Sequence, residues 1–156
     1  MKITLFLNGK TTSPDIKNLC DEYRKRINRY MKMEEIFLEA VNLKSKDISK
    51  VKQVEGDGLL KRLTPTDYLI LLDDKGKEFT STRFAEHLES LFNQSLKNLC
   101  FAVGGAYGFS EDVYRRANEK MSLSKMTFSH QIIRPLFAEQ LYRAFTIIHH
   151  EPYHHE

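Results

Sequence analysis

Two short, unbroken apolar runs constrain the fold of this chain more than any other feature. Residues 68–72 (Tyr-Leu-Ile-Leu-Leu) and 99–103 (Leu-Cys-Phe-Ala-Val) contain no polar interruption. Such runs are far too short to span a bilayer. They read as strands over residues 67–72 and 99–103, each buried on both faces. Strands buried on both faces belong to a mostly parallel sheet with helices on either side, and the rest of the chain supplies the helical periods.

Residues 3–7 read as a first strand, closed by Asn8 and Gly9. A helix follows, with Ser13 as its N-cap and Pro14 at its first position. Its apolar stripe is Ile16, Leu19, Cys20, Tyr23, Ile27 and Tyr30, with Lys25, Arg29 and Lys32 opposite. Residues 35–41 predict a second strand, 42–49 a lysine-rich loop, and 48–63 a polar helix that contains Gly56 and Gly58. Ser81 is placed to cap a helix carrying Phe84, Leu88, Leu91 and Phe92. Ser110 is placed to cap another, with Glu111 and Asp112 in its first turn. Residues 125–127 suit a short fifth strand. A last helix spans about 131–148, with Leu136, Phe137, Leu141, Ala144 and Ile148 on its apolar face. The pattern predicts one α/β domain over residues 1–156.

Composition agrees with this class. The chain has 156 residues, 41% hydrophobic and 29% charged, which suits one globular domain and excludes a disordered chain. The opening Met1-Lys2-Ile3-Thr4 begins a strand pattern and lacks the apolar stretch of a signal peptide. Cys20 and Cys100 have no CxxC partner, and read as free buried thiols in a reducing, cytoplasmic setting. Net charge is only +3, with all six histidines in the second half of the chain. That permits an RNA partner without demanding one.

Ligands on parallel sheets bind beyond the carboxyl ends of the strands. Two segments sit there. The turn Gly104-Gly105-Ala106-Tyr107-Gly108 lacks both the dinucleotide GxGxxG spacing and the Gly-Lys-Ser/Thr ending of a P-loop. Glu111 and Asp112 occupy the helix end where a phosphate would bind, and would repel it. A nucleoside ligand without phosphate, even a cationic one, fits better. The alternative is a turn made tight by glycine alone. Asp73-Asp74-Lys75-Gly76-Lys77 is either a solvated turn or a second wall of the same pocket. The stretch Met121-Ser122-Leu123-Ser124-Lys125-Met126-Thr127-Phe128-Ser129-His130 alternates hydroxyl and apolar residues. It reads as an edge strand, or as a loop that offers backbone groups to a base edge while Leu123, Met126 and Phe128 form an apolar slot. The tail His149-His150-Glu151-Pro152-Tyr153-His154-His155-Glu156 is rich in imidazole. Adventitious metal binding suits it better than a built metal site, and none is assigned. Lys44, Lys46, Lys50 and Lys52, with the Lys25/Arg29/Lys32 face, read as solvated surface or as contacts for a phosphate backbone.

Four of these segments carry a resemblance. They are Leu71-Leu72-Asp73-Asp74-Lys75-Gly76-Lys77, Phe101-Ala102-Val103-Gly104-Gly105-Ala106-Tyr107-Gly108, Ser122 through Gln131, and Glu139-Gln140-Leu141-Tyr142-Arg143-Ala144-Phe145 with Pro152-Tyr153-His154. Over essentially its whole length the sequence resembles the bacterial RlmH family, SPOUT-class methyltransferases of large-subunit ribosomal RNA. The resemblance implies an α/β fold with a C-terminal trefoil knot, a homodimer, and S-adenosylmethionine as methyl donor. It implies methylation of N3 of a pseudouridine in 23S rRNA on the assembled ribosome. By position, Leu72, Gly104, Leu123, Ser124, Lys125, Met126, Thr127 and Phe128 should bind the cofactor. Arg143, Tyr153 and His154 should serve the target base, with His130 near them. In this role His154 or Tyr153 would help remove the N3 proton, and Arg143 would stabilise charge on the ring. The low net charge predicts weak activity on naked RNA. A non-catalytic RNA- or ribosome-binding module on the same fold is the alternative. Pro135 lies where the last helix is expected to have begun, so that helix should start late or kink.

Overall fold

Alternation of side chains builds the centre of the molecule. The computed structural model describes residues 1–41 and 47–155. In β1 (Lys2–Asn8), β3 (Tyr68–Glu78) and β4 (Asn98–Val103), successive residues point to opposite faces of one sheet. Ile3, Leu5, Leu7, Ile70, Leu72, Leu99, Phe101 and Val103 join one hydrophobic cluster. Phe6, Leu69, Leu71, Cys100 and Ala102 join a second. With β2 (Met33–Leu38) and β5 (Glu119–Ser122) the sheet runs β2-β1-β4-β3-β5, and every pair is parallel.

Helices cover both faces, as the apolar runs require. Ile27 of α1 (Pro14–Ile27), Phe84 and Leu88 of α3 (Ser81–Phe92), and Phe137 and Leu141 of α5 (Ile133–Ile148) pack into the first cluster. Leu59 of α2 (Ile48–Leu60) and Val113 of α4 (Glu111–Arg116) pack into the second. Each of these side chains is at most 3% exposed, so truncating Leu88 or Leu141 to Ala would cost about 2–5 kcal/mol. Ser13 caps α1 through the Ile16 amide, with Pro14 at its first position. Burial pushes the two free thiols up, Cys20 to about 11 and Cys100 to about 12, which leaves them unreactive.

Several expectations shift. The fifth strand is β5 at Glu119–Ser122, not residues 125–127. The Ser124 hydroxyl accepts the Met126 amide and the Ser122 hydroxyl accepts the Ser124 amide, so local turns capture the backbone that a strand would need. The second strand begins earlier, at Met33, and ends at Leu38. The polar helix includes both glycines but stops at Leu60. Thr80 caps α3 through the Arg83 amide, and Ser81 is the first helical residue. Leu19 (47% exposed) and Leu136 (39%) leave their apolar stripes and face outward. Residues 42–46 of the expected lysine-rich loop, with Lys44 and Lys46, lie outside the described residues.

The last helix does start late. It begins at Ile133, so Pro135 lies in the first turn, where amides lack intrahelical acceptors. At its other end His149 is the C-cap and His150 adopts φ +55°. The Glu151 amide bonds the Thr146 carbonyl at 2.8 Å and the His150 amide bonds that of Ile147 at 3.0 Å. This is a Schellman turn with histidine in the left-handed position that glycine usually fills. It folds the histidine-rich tail back along α5.

Candidate functional site

The carboxyl ends of β3, β4 and β5 enclose a cleft of about 780 Å³. That is within the roughly 300–1,000 Å³ of small-molecule sites. Its first wall arises from a break in register. Leu72 and Lys77 both pair with Met121, so residues 73–76 are extruded from the ladder. A Cβ on Gly76 would run into the Met121 backbone, so glycine alone permits this close return. The second wall is residues 104–109, closed by a Gly108-to-Gly105 backbone bond and by Gly108 at φ +81°. The third is the serine–methionine stretch. Leu72, Gly104, Leu123, Ser124, Met126, Thr127, Phe128 and His130 all line the cleft. Lys125 belongs to the same loop but is exposed and does not line it. Met126 is 76% exposed at the rim, a large apolar side chain open to solvent.

The charges of the cleft favour a cation over an anion. Asp73, Asp74 and Glu111 line it against only Lys52 and Lys75. Burial pushes the Asp73 carboxyl up, but hydrogen bonds from the Tyr114 hydroxyl and the Lys75 amide outweigh this and hold it below the usual range. Burial and the same Asp73 contact push the Tyr114 phenol up. Beneath the glycine turn lies a second cavity of about 10 Å³, room for about one water. Asn8 Oδ1 and Glu55 Oε2 are the buried side-chain oxygens without a partner among the described residues, and both residues line it. Burial alone raises the Glu55 carboxyl.

The other expected site residues meet elsewhere. Arg143 donates from Nε and Nη2 to Oε1 of Glu139, at 3.1 and 2.5 Å, and the Tyr153 hydroxyl donates to the same oxygen at 3.1 Å. The Arg143 guanidinium lies 4.8 Å from the Tyr153 ring centre. Arg143 Nη1 lies 3.2 Å from Nδ1 of His154. Arginine only donates, so Nδ1 accepts and a neutral imidazole carries its proton on Nε2. Burial, then Tyr23 and Glu139, push the Tyr153 phenol up, so it is a protonated donor at neutral pH rather than a base. None of Arg143, Tyr153 and His154 lines the cleft. Arg143 is ten residues along α5 from Ile133 at the cleft, about 15 Å of helix. His130 is the imidazole that the cleft contains. One chain therefore brings the cofactor candidates and His130 together, and holds Arg143, Tyr153 and His154 as a separate cluster.

A family model described as "Predicted SPOUT methyltransferase" matches residues 1–154. The chain belongs to the SPOUT methyltransferase family. It is 51% identical, over the full length of both chains, to a protein of Parabacteroides distasonis named "Ribosomal RNA large subunit methyltransferase H". Proteins of the same name from Flavobacterium psychrophilum and Bacteroides thetaiotaomicron are 47% and 46% identical, again over the full length of both chains. A solved structure, that of a probable methylase family protein from Haemophilus influenzae Rd KW20, superposes with a TM-score of 0.52 at 11% identity. The match covers 95% of this chain and 66% of that one, and it shows the fold alone. The resemblance read from the four segments is thus borne out at the level of the family.

In this SPOUT methyltransferase, reading the sequence missed Tyr114, Glu139 and Arg134. Tyr114 lies on a helix with no motif to mark it, while Glu139 stands in the fourth resemblance segment but carried no assigned role. Arg134 did leave a signal: with Phe137, Ala138 and Leu141 it follows the i, i+3, i+4, i+7 spacing of a buried stripe, where a charge is out of place. No group of three or more metal-ligating side chains occurs among the described residues, and no described helix is long and apolar enough to cross a membrane.

Proposed function

We propose that the chain methylates N3 of a pseudouridine in large-subunit (23S) ribosomal RNA, with S-adenosylmethionine as donor, acting as a homodimer on the assembled ribosome. The observation that carries this reading is the full-length identity of 46–51% to proteins named ribosomal RNA large subunit methyltransferase H, on a chain with a ligand-sized cleft. The whole chain acts as one domain, and ribosomal RNA as substrate makes the cytoplasm its place of work.

The residues present fit the donor. The cleft is lined by three carboxylates and two lysines, which suits a sulfonium nucleoside without phosphate. Leu72, Gly104 and Leu123 give it apolar and close-approach walls. Ser124, Lys125, Met126, Thr127 and Phe128 would wrap the nucleoside, Lys125 through its backbone only. When bound, S-adenosylmethionine supplies a methyl group already activated on sulfur. The protein's part is then alignment and handling of one proton. His130 stands in the cleft as an acceptor for the N3 proton. The Arg143 guanidinium, held rigid by Glu139, would face the negative charge that develops on the ring. The Nε2–H of His154 would orient the base as a donor, and Tyr153, bonded to Glu139, would hold the Arg143 guanidinium in place.

The 15 Å separation along α5 supports the homodimer, because a second copy can bring its Arg143 cluster to the first copy's cleft. The outward-facing Leu19 and Leu136, on two helices that pack together, support an apolar interface there. The trefoil knot belongs to the same reading, with three loops from neighbouring strands converging on one cleft. The net charge of +3 is low for a binder of free RNA, and supports the ribosome as the true substrate. Mass spectrometry of rRNA from cells lacking the protein tests the reading. It should find one methyl missing from a pseudouridine, restored by the purified protein acting on ribosomes. An unchanged methylation pattern would overturn it.

A further inference from the structure

Arg134 is only 1% exposed and is the largest of the fully buried side chains. It has no ion-pair partner among the described residues. Its guanidinium is satisfied by neutral oxygens: Nε donates to the His130 carbonyl at 2.9 Å, Nη1 to the Gly9 carbonyl and the Thr11 hydroxyl at 3.0 Å each, and Nη2 to the Asn8 carbonyl at 2.7 Å. A buried charge whose hydrogen bonds all go to neutral oxygens, with Glu35 and Cys20 acting on it only through space, is costly, and an apolar side chain at this place in the stripe of α5 would serve packing better. The bonds explain its presence. Three tie the guanidinium to the end of β1 and the turn that follows it, and the fourth ties it to the last residue of the loop that walls the cleft. Gln131 extends the clasp, accepting from the Thr12 amide at 3.0 Å and donating to the Lys10 carbonyl at 3.2 Å.

We propose that Arg134 is a positioning residue for methyl transfer. Its planar fork fixes the His130 end of the serine–methionine loop against the β1–α1 turn, and so sets the third wall of the cleft. The fork matters as much as the charge: four bonds in one plane define an orientation that a lysine ammonium cannot reproduce. The consequence for transfer rests on the proposed function above, while the ordering of the loop does not.

The test uses the full chain with R134K, R134A and Q131A, each first checked for a cooperative thermal transition. R134K should lower kcat on ribosomes by on the order of 100-fold, the effect of misplacing a reacting group by about 1 Å, and leave KM for the ribosome unchanged. Q131A removes the outer half of the clasp on the surface and should slow transfer in the same sense by less. Millimolar guanidinium chloride should restore R134A and leave H130A unrescued. Amide NMR shifts of residues 122–130 should move in R134K and Q131A while those of β2 and α3 stay in place. If R134A does not fold, R134K and Q131A carry the test. Wild-type kcat in R134K, guanidinium rescue of both R134A and H130A or of neither, or unmoved shifts in 122–130 would each overturn the proposal. If the wild type transfers no methyl group, the proposed function fails, and the NMR shifts still decide whether Arg134 orders the loop.

Discussion

The cleft and the Arg143 cluster solve opposite problems. The cleft is built largely from backbone: an extruded loop after residue 72, a glycine turn at 104–108 and a loop of small hydroxyl residues. Its groups face outward, with Met126 uncovered at the rim. The Arg143 cluster is built from side chains that satisfy one another, with Glu139 Oε1 receiving both Arg143 and Tyr153. The first suits a ligand that must be enclosed. The second suits a group that must be held still. The two lie about 15 Å apart along α5, a separation that fits the proposal that two copies combine to form one active site.

Variants in the two regions should therefore fail differently. The largest effect is expected for Arg143→Ala, which should lower kcat by about 100- to 1,000-fold while calorimetry shows unchanged affinity for S-adenosylmethionine. A matching loss of affinity would place Arg143 in the cofactor pocket and break the division. Gly104→Val should do the reverse. A Cβ there already meets the Phe109 ring at 3.3 Å, so the larger side chain should weaken S-adenosylmethionine binding by about 10- to 100-fold. Ultraviolet titration of Tyr153 should still report a raised phenol in that variant.

Two smaller effects probe what supports each region. Burial raises the Glu55 carboxyl above its ordinary 4.5, so the folded chain binds this proton more tightly than the unfolded one. That contribution is present below about 4.5 and is lost as pH rises through the raised value. Glu55→Gln should add about 1 kcal/mol at neutral pH and flatten this fall, read from thermal unfolding across the pH range. A loss at neutral pH would mean that the carboxylate has a partner under the glycine turn. On the cluster side, His150→Gly relieves the left-handed backbone at the end of α5 and should add up to about 1 kcal/mol without altering transfer. A fall in stability there would show that the imidazole itself anchors the tail.

The sheet was legible because its central strands are buried on both faces, which forces unbroken apolar runs such as 68–72 and 99–103. Strand β5 was not. It lies at the edge with the sequence Glu-Lys-Met-Ser, and Met121 is its one hydrophobic residue. Residues 125–127 had the better strand pattern, but serine hydroxyls turned their backbone aside. The membership of the cleft could be read by motif, Lys125 excepted as a lining side chain. The separation of Arg143, Tyr153 and His154 from it could not. Spacing places residues on a helix face but does not say which end of that helix meets a pocket. The tail's return along α5 depended on a Schellman turn formed by His150, where no glycine announced it.

In the proposed homodimer, the cleft of one chain works with the Arg143 cluster of another. Mixing the Gly104→Val and Arg143→Ala proteins, after allowing subunits to exchange, tests it most directly. At S-adenosylmethionine concentrations well below the weakened affinity of the Gly104→Val cleft, each alone should be nearly inactive. The mixture should recover a substantial share of wild-type methylation, because a mixed dimer holds one intact cleft facing one intact cluster. A mixture that stays as inactive as its parts, with exchange verified by mass spectrometry, would contradict the account.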